Sequence, residues 1–247
     1  MRQRDLILGV AALLVAWQLA AWMVRSEVLP GPWLVLLALG RGLPAGLGRH
    51  FLVSGWRVVA SILLAMLTAV PAGLVLGQSR TLSRIFSPII YIVYPIPKIV
   101  FLPIILLFLG IGDKSKIFII WLILFFQALV VVRDAASALR PELIYSVRSL
   151  GAGRRALFRF VYLPATLPAA LTGLRVSIGT AIAVLFFAES FATTSGLGYY
   201  IIVESWGRLA YPEMYAGVVA MSVLGLLLYF LVDWLERRLA PWMFANA

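Results

Sequence analysis

Two charged residues stand inside apolar stretches where charge is costly. Lys98 lies in YPIPKIVFLP at 94–103, with Pro95 and Pro97 before it and Pro103 after it, and Glu189 lies in the triplet AES at 188–190. A lone ammonium or carboxylate in hydrocarbon must be paired or hydrated, so each marks either a solute pathway or a buried structural contact. Counted from the inner ends of their runs on ideal helices, Lys98 lies about 20 Å deep and Glu189 about 24 Å deep. That depth fits an ion pair between them that fixes two helices together, with a solute-facing Lys98 as the alternative. Gln127, Thr180 and Ser190 are the uncharged polar residues that belong to the same candidate pathway. Prolines on both sides of Lys98 free backbone N–H groups beside the ammonium, which favours an anionic or strongly accepting solute.

Catalysis and metal binding have little to work with. The chain has no cysteine and a single histidine, His50, so disulfides, thiolate metal sites and histidine clusters are excluded. One midspan acid is not an acid–base pair, which argues against an intramembrane enzyme. Gly151 and Gly153 form no phosphate cradle, because no strand precedes them and no glycine, lysine and hydroxyl triplet follows.

The elements that must hold these residues are membrane spans. Of the 247 residues, 63% are hydrophobic and 13% charged, and the mean hydropathy is +1.01, far from the composition of a water-soluble domain. The pattern predicts an all-α integral membrane protein with one domain and six spans, over about 6–24, 53–76, 85–111, 117–132, 174–195 and 215–232. The first run is longer than a signal core and lacks a small-residue cleavage site, so it reads as an uncleaved anchor. Residues 25–50, with Pro30, Pro32, Pro44 and five glycines, read as an external loop with an interfacial patch at 33–39. Arg57 is placed to extend toward the interface, and Pro71 to kink the second span. The third span carries Pro88, Pro95, Pro97 and Pro103, which no regular helix accommodates, so it must bend where it lines a cavity or is buried in protein.

The longest polar interruption is RPELIYSVRSLGAGRRALFRFVYLP at 140–164. Leu143, Ile144, Val147 and Leu150 share one stripe, which predicts an amphipathic helix over 141–150 that starts at Pro141. Gly151, Ala152 and Gly153 break it. A second short helix follows, with Ala156, Leu157, Phe160 and Val161 on one face, and is expected to stop before Pro164. Helices this short are marginal in water and must dock on something. One use for such an arginine-rich element is to rest on anionic headgroups.

The spacing of Gly151 to Val161, Tyr162, Leu163 and Pro164 resembles the second half of the EAA loop of ABC importer permeases. The front half departs from it, with Tyr145, Ser146 and Val147 where an acid and two alanines are usual and the nearest acid at Glu142. YPIPKIVFLP, LGIG at 109–112, LPATLPAALTGLR at 163–175, AES and GLG at 196–198 extend the likeness to permeases of the nitrate, sulfonate and taurine type. The resemblance implies that Glu142, Tyr145, Ser146, Arg148, Ser149, Gly151, Ala152 and Arg155 meet a separate ATPase. It also implies a second permease copy, an extracytoplasmic solute-binding protein, and ATP and Mg held by the partner, with no cofactor on this chain. The substrates it covers are nitrate, sulfonates, taurine, bicarbonate and vitamin precursors.

Orientation follows from charge. The net charge is +11, yet the arginines sit in short segments between apolar runs, where they report topology and not nucleic-acid binding. Of 21 Lys and Arg, 13 fall on the side shared by the amino terminus, residues 133–175 and the carboxyl terminus. Both termini are therefore expected in the cytoplasm, with the chain crossing a bacterial inner membrane. An ATP-independent carrier is disfavoured because the sequence shows no related halves.

Overall fold

A computed structural model describes residues 3–243. Arg2, one of the inner-face arginines, and residues 244–247 lie outside the described residues. In chain order the helices are α1 (Gln3–Val24), α2 (Pro32–Gly42), α3 (Gly48–Gln78), α4 (Arg80–Val93), α5 (Leu102–Leu109) and α6 (Asp113–Ser137). There follow α7 (Pro141–Ser149), α8 (Arg154–Leu157), α9 (Leu163–Ser190), α10 (Leu197–Tyr199) and α11 (Tyr211–Leu239). The described residues form no strand, so the fold is all-α as the hydropathy pattern requires.

Among the described residues, four helical stretches are long and apolar enough to cross a membrane: Pro32–Gln78, Asp113–Ser137, Arg154–Ser190 and Tyr211–Leu239. The pair Arg80–Val93 and Lys98–Leu109, bent by 79° at its break, would be a fifth. In α1 the apolar stretch Leu8–Val24 is shorter.

Three local expectations need correcting. Residues 32–50, expected as a loop, are helical: α2 runs through a π-helical turn into α3, whose remainder is the expected second span. Pro32 sits at the start of α2, where a missing N–H costs nothing, Pro44 falls in the first turn of the π segment, and Gly46 takes the kink at φ 132°. The second elbow helix does not stop before Pro164. A π-helical turn at Phe158–Tyr162 carries α8 into α9, and Leu163 N bonds Phe158 O, so the proline enters at a helix start. Arg57 does not reach for the interface either. It is buried and bound to Asp113, with Nη2 2.7 Å and Nε 2.8 Å from Oδ1.

The chain divides into two compact units whose boundaries fall inside α3, α9 and α11. One unit holds the residues up to Gly55 with Phe186–Leu224. Its core gathers Val35, Ala38 and Ala216, with Trp17, Leu39, Tyr215 and Val219 against them. The other unit holds Trp56–Leu185 and the chain from Gly225 on. Here α3 approaches α6 closely: a Cβ on Gly73 would lie 2.9 Å from Val132 Cβ, and one on Gly77 would lie 2.7 Å from Arg133 O. Gly73 and Gly77 form the small-xxx-small spacing that lets two membrane helices touch along their backbones.

Candidate functional site

The broken span is built by its prolines. Helix α4 tolerates Pro88 but ends at Val93. Pro95 and Pro97 follow, a 3-10 turn runs over Lys98–Phe101, and Pro103 falls in the first turn of α5. The last carbonyls of α4 are left without helical partners, and Lys98 answers them. Its Nζ donates to Tyr94 O at 3.0 Å, Val93 O at 3.1 Å and Ile96 O at 3.4 Å, and lies 4.7 Å from the Phe126 ring centroid. An ammonium at a helix carboxyl end is also favoured by the helix dipole. The side chain is buried, while Pro95, Pro97 and Pro103 are exposed.

Gln127 on α6 lines a groove of about 740 Å³ with Tyr94, Pro168, Thr172 and Ser177, and its Oε1 is buried with no hydrogen-bond partner among the described residues. Thr180 is half-buried, and Ser190 is satisfied within its own helix by Phe186 O at 2.7 Å.

Glu189 is fully buried and part of a network the sequence reading missed. Ser54 Oγ lies 2.9 and 2.7 Å from its two carboxylate oxygens, and Gly198 N donates to Oε2 at 3.1 Å. Leu197 N donates to Ser54 Oγ at 2.8 Å, and Gly196 N donates to His50 Nδ1 at 3.0 Å. His50 Nε2 stands 3.5 Å from Glu204 Oε1. The AES and GLG motifs are thus two halves of one latch that ties the 196–198 turn to α3 and α9. Gly196 has φ 115°, and a Cβ there would fall on the Glu189 carboxylate. Nearby, Tyr200 has its phenol pushed up, burial being the largest cause.

A sequence signal for these partners exists. His50, Ser54, Arg57 and Ser61 recur at steps of three and four along an otherwise apolar helix, the spacing of one helical face. A second missed cluster joins Arg175 to Asp233 at 2.6 Å and Glu236 at 3.2 Å, with Thr172 Oγ1 donating to Glu236 Oε1 at 2.7 Å.

The elbow has two faces. Ile144 and Val147 pack on a core of Leu74, Val132, Ala136, Leu157, Val161 and Tyr162. Leu143 and Leu150 share their predicted stripe but are exposed, Leu150 at 85%. Glu142, Tyr145, Ser146, Arg148, Ser149, Gly151 and Arg155 are exposed as well, and Ala152 is half-buried. The turn between α7 and α8 runs through Gly151 at φ 83°, with its N–H bonded to Arg148 O at 2.9 Å.

Among the described residues, no three His, Cys, Asp or Glu gather to hold a metal ion. Apolar helices long enough to cross a membrane, a bent helix pair with a buried cation at its break and a docked elbow with an uncovered face describe an integral membrane protein. The chain belongs to the family of binding-protein-dependent transport system inner membrane components, whose model matches residues 61–244. It is 34% identical to the taurine transport system permease protein TauC of Escherichia coli K12, over 98% of this chain and 90% of that protein. It is 28% identical to the putative aliphatic sulfonates transport permease protein SsuC of Bacillus subtilis 168, over 94% of this chain and 85% of that protein. In fold it is similar to a chain of the inward-facing MetNI methionine ABC transporter, with a TM-score of 0.67 and 22% identity over 80% of this chain and 98% of that one. The chain is an ABC importer permease subunit of the inner membrane. ATP hydrolysis belongs to a separate subunit, and a solute-binding protein is a partner of the assembly.

Proposed function

We propose that this permease imports a small organic oxyanion of the sulfonate class as one of a symmetric pair, with the 141–162 elbow in the cytoplasm on the ATPase. ATP and Mg belong to that partner, and this chain needs no cofactor of its own. The full-length likeness to a taurine permease supports the substrate class. The elbow itself carries the coupling role: its inner face is docked, while Tyr145 at 65%, Leu150 and Phe160 at 67% exposure offer apolar surface on a polar, arginine-rich segment. Such surface calls for a partner. In this reading ATPase closure moves the elbows of both copies, and α9, continuous from the elbow, converts the shift into alternating access. The driving partner must contact the two states unequally to shift them.

Reconstitution with the ATPase and binding protein tests this. Taurine or a short alkanesulfonate is expected to stimulate hydrolysis, and Gly151→Val to remove most of that stimulation with membrane insertion intact, because valine resists positive φ. Undiminished stimulation in that variant sinks the coupling role. A cysteine in place of Ser149 is expected to label with an impermeant thiol reagent in inside-out vesicles only, and labelling in intact cells overturns the orientation.

A further inference from the structure

Behind the elbow lies a cleft of about 520 Å³, with Gln78 and Ser79 on one wall and Arg148, Arg154 and Tyr162 on the other. The guanidinium groups of Arg148 and Arg154 make no hydrogen bond or ion pair among the described residues. Tyr162, 8% exposed overall, lines the same cleft. The surrounding field is positive: residues 140–164 hold five arginines against one acid, and α4 starts at this wall with Ser79 as cap and no acid in its first turn.

We propose that this cleft binds a phosphate-type oxyanion, either the phosphodiester of an anionic lipid headgroup or free inorganic phosphate. Guanidinium groups match phosphate oxygens with paired N–H donors, and the Tyr162 phenol, which lines the same cleft, can add a third. Arg148 and Arg154 stand on opposite sides of Gly151, the joint of the elbow. An anion shared by them ties α7 to α8 across that joint and holds the elbow against the α3–α4 turn. Occupancy therefore stiffens the lever without covering Tyr145 or Leu150. This differs from an element lying on headgroups, since the ligand is held behind the elbow in a defined cleft. The proposal rests on the cytoplasmic placement of the elbow.

The test is hydrogen exchange on the assembled transporter in nanodiscs of phosphatidylcholine alone, of phosphatidylcholine with phosphatidylglycerol, and of phosphatidylcholine with inorganic phosphate against chloride at equal ionic strength. At a probe level of ten times Kd, exchange in 148–157 is expected to slow about tenfold. Slowing by phosphatidylglycerol alone identifies the lipid phosphodiester, and slowing by phosphate identifies a free oxyanion. Arg154→Gln should abolish the effect, and Tyr162→Phe, which removes only the hydroxyl, should weaken it several-fold. No slowing by either probe, or equal slowing in both variants, overturns the site. Exchange in 141–147 with and without the ATPase reports the coupling role separately, so that reading can fail while the oxyanion result stands.

Discussion

Lys98 and Glu189 are single charges buried in apolar surroundings, and the chain satisfies them over very different distances in sequence. Lys98 draws on carbonyls no more than five positions away, the loose end of the helix that its neighbouring prolines broke. Glu189 draws on Ser54, 135 positions away, and on the Gly198 amide in a turn that can approach it only because Gly196 and Gly198 lack side chains. The ammonium repairs a local defect and ties together only the residues of its own break. The carboxylate organises three separate segments around itself, so disturbing it disturbs them all.

The comparison can be broken in order of expected effect. Gly196→Ala meets a positive φ and a carboxylate in the same place, and is expected to cost about 3 kcal/mol or more of stability in thermal unfolding of the solubilised protein. An unchanged melting temperature there would remove the latch. Glu189→Ala strands the Ser54 hydroxyl and the Gly198 N–H, with an expected cost of roughly 2–4 kcal/mol. Glu189→Gln, which still accepts, should cost about half as much. Equal losses in the two would mean that charge, not hydrogen bonding, holds the turn.

Lys98→Met is expected to cost only about 1–2 kcal/mol, since a helix end in a bent span can relax toward water, and Lys98→Arg should recover most of it. The larger consequence of Lys98→Met should be a fall in transport, read in proteoliposomes, as the break loses its clamp. Because the described partners of Lys98 and Glu189 are different residues, the stability losses of Lys98→Met and Glu189→Gln should add within about 0.5 kcal/mol. A coupling above 1 kcal/mol would replace the comparison with a single shared site.

Much of this was legible in the residues. Leu, Ile, Val and Ala in long runs require helices in lipid, where every backbone group must be satisfied inside its own segment. Pro95 and Pro97 remove donors, and Gly151 accepts a positive φ, so the bend in the third span and the turn of the elbow were both readable from chemistry that acts within a few positions. Pro164 and the proline-rich stretch at 25–50 misled for a related reason: a proline breaks a helix interior, but the π-helical turns at Leu43–Leu47 and Phe158–Tyr162 place Pro44 and Pro164 where no interior bond is lost.

What the tertiary structure decided was partnership. The sequence marks Glu189 as a charge in need of company and reads Arg57 as reaching toward the interface, and it sets His50, Ser54, Arg57 and Ser61 along one face of α3. It does not say that Ser54 serves Glu189 while Arg57 serves Asp113, 56 positions on. Periodicity and helix breakers act through bonds to near neighbours and can be read along the chain. The choice among polar partners far apart in sequence depends on which helix faces meet, and only the packed chain settles that.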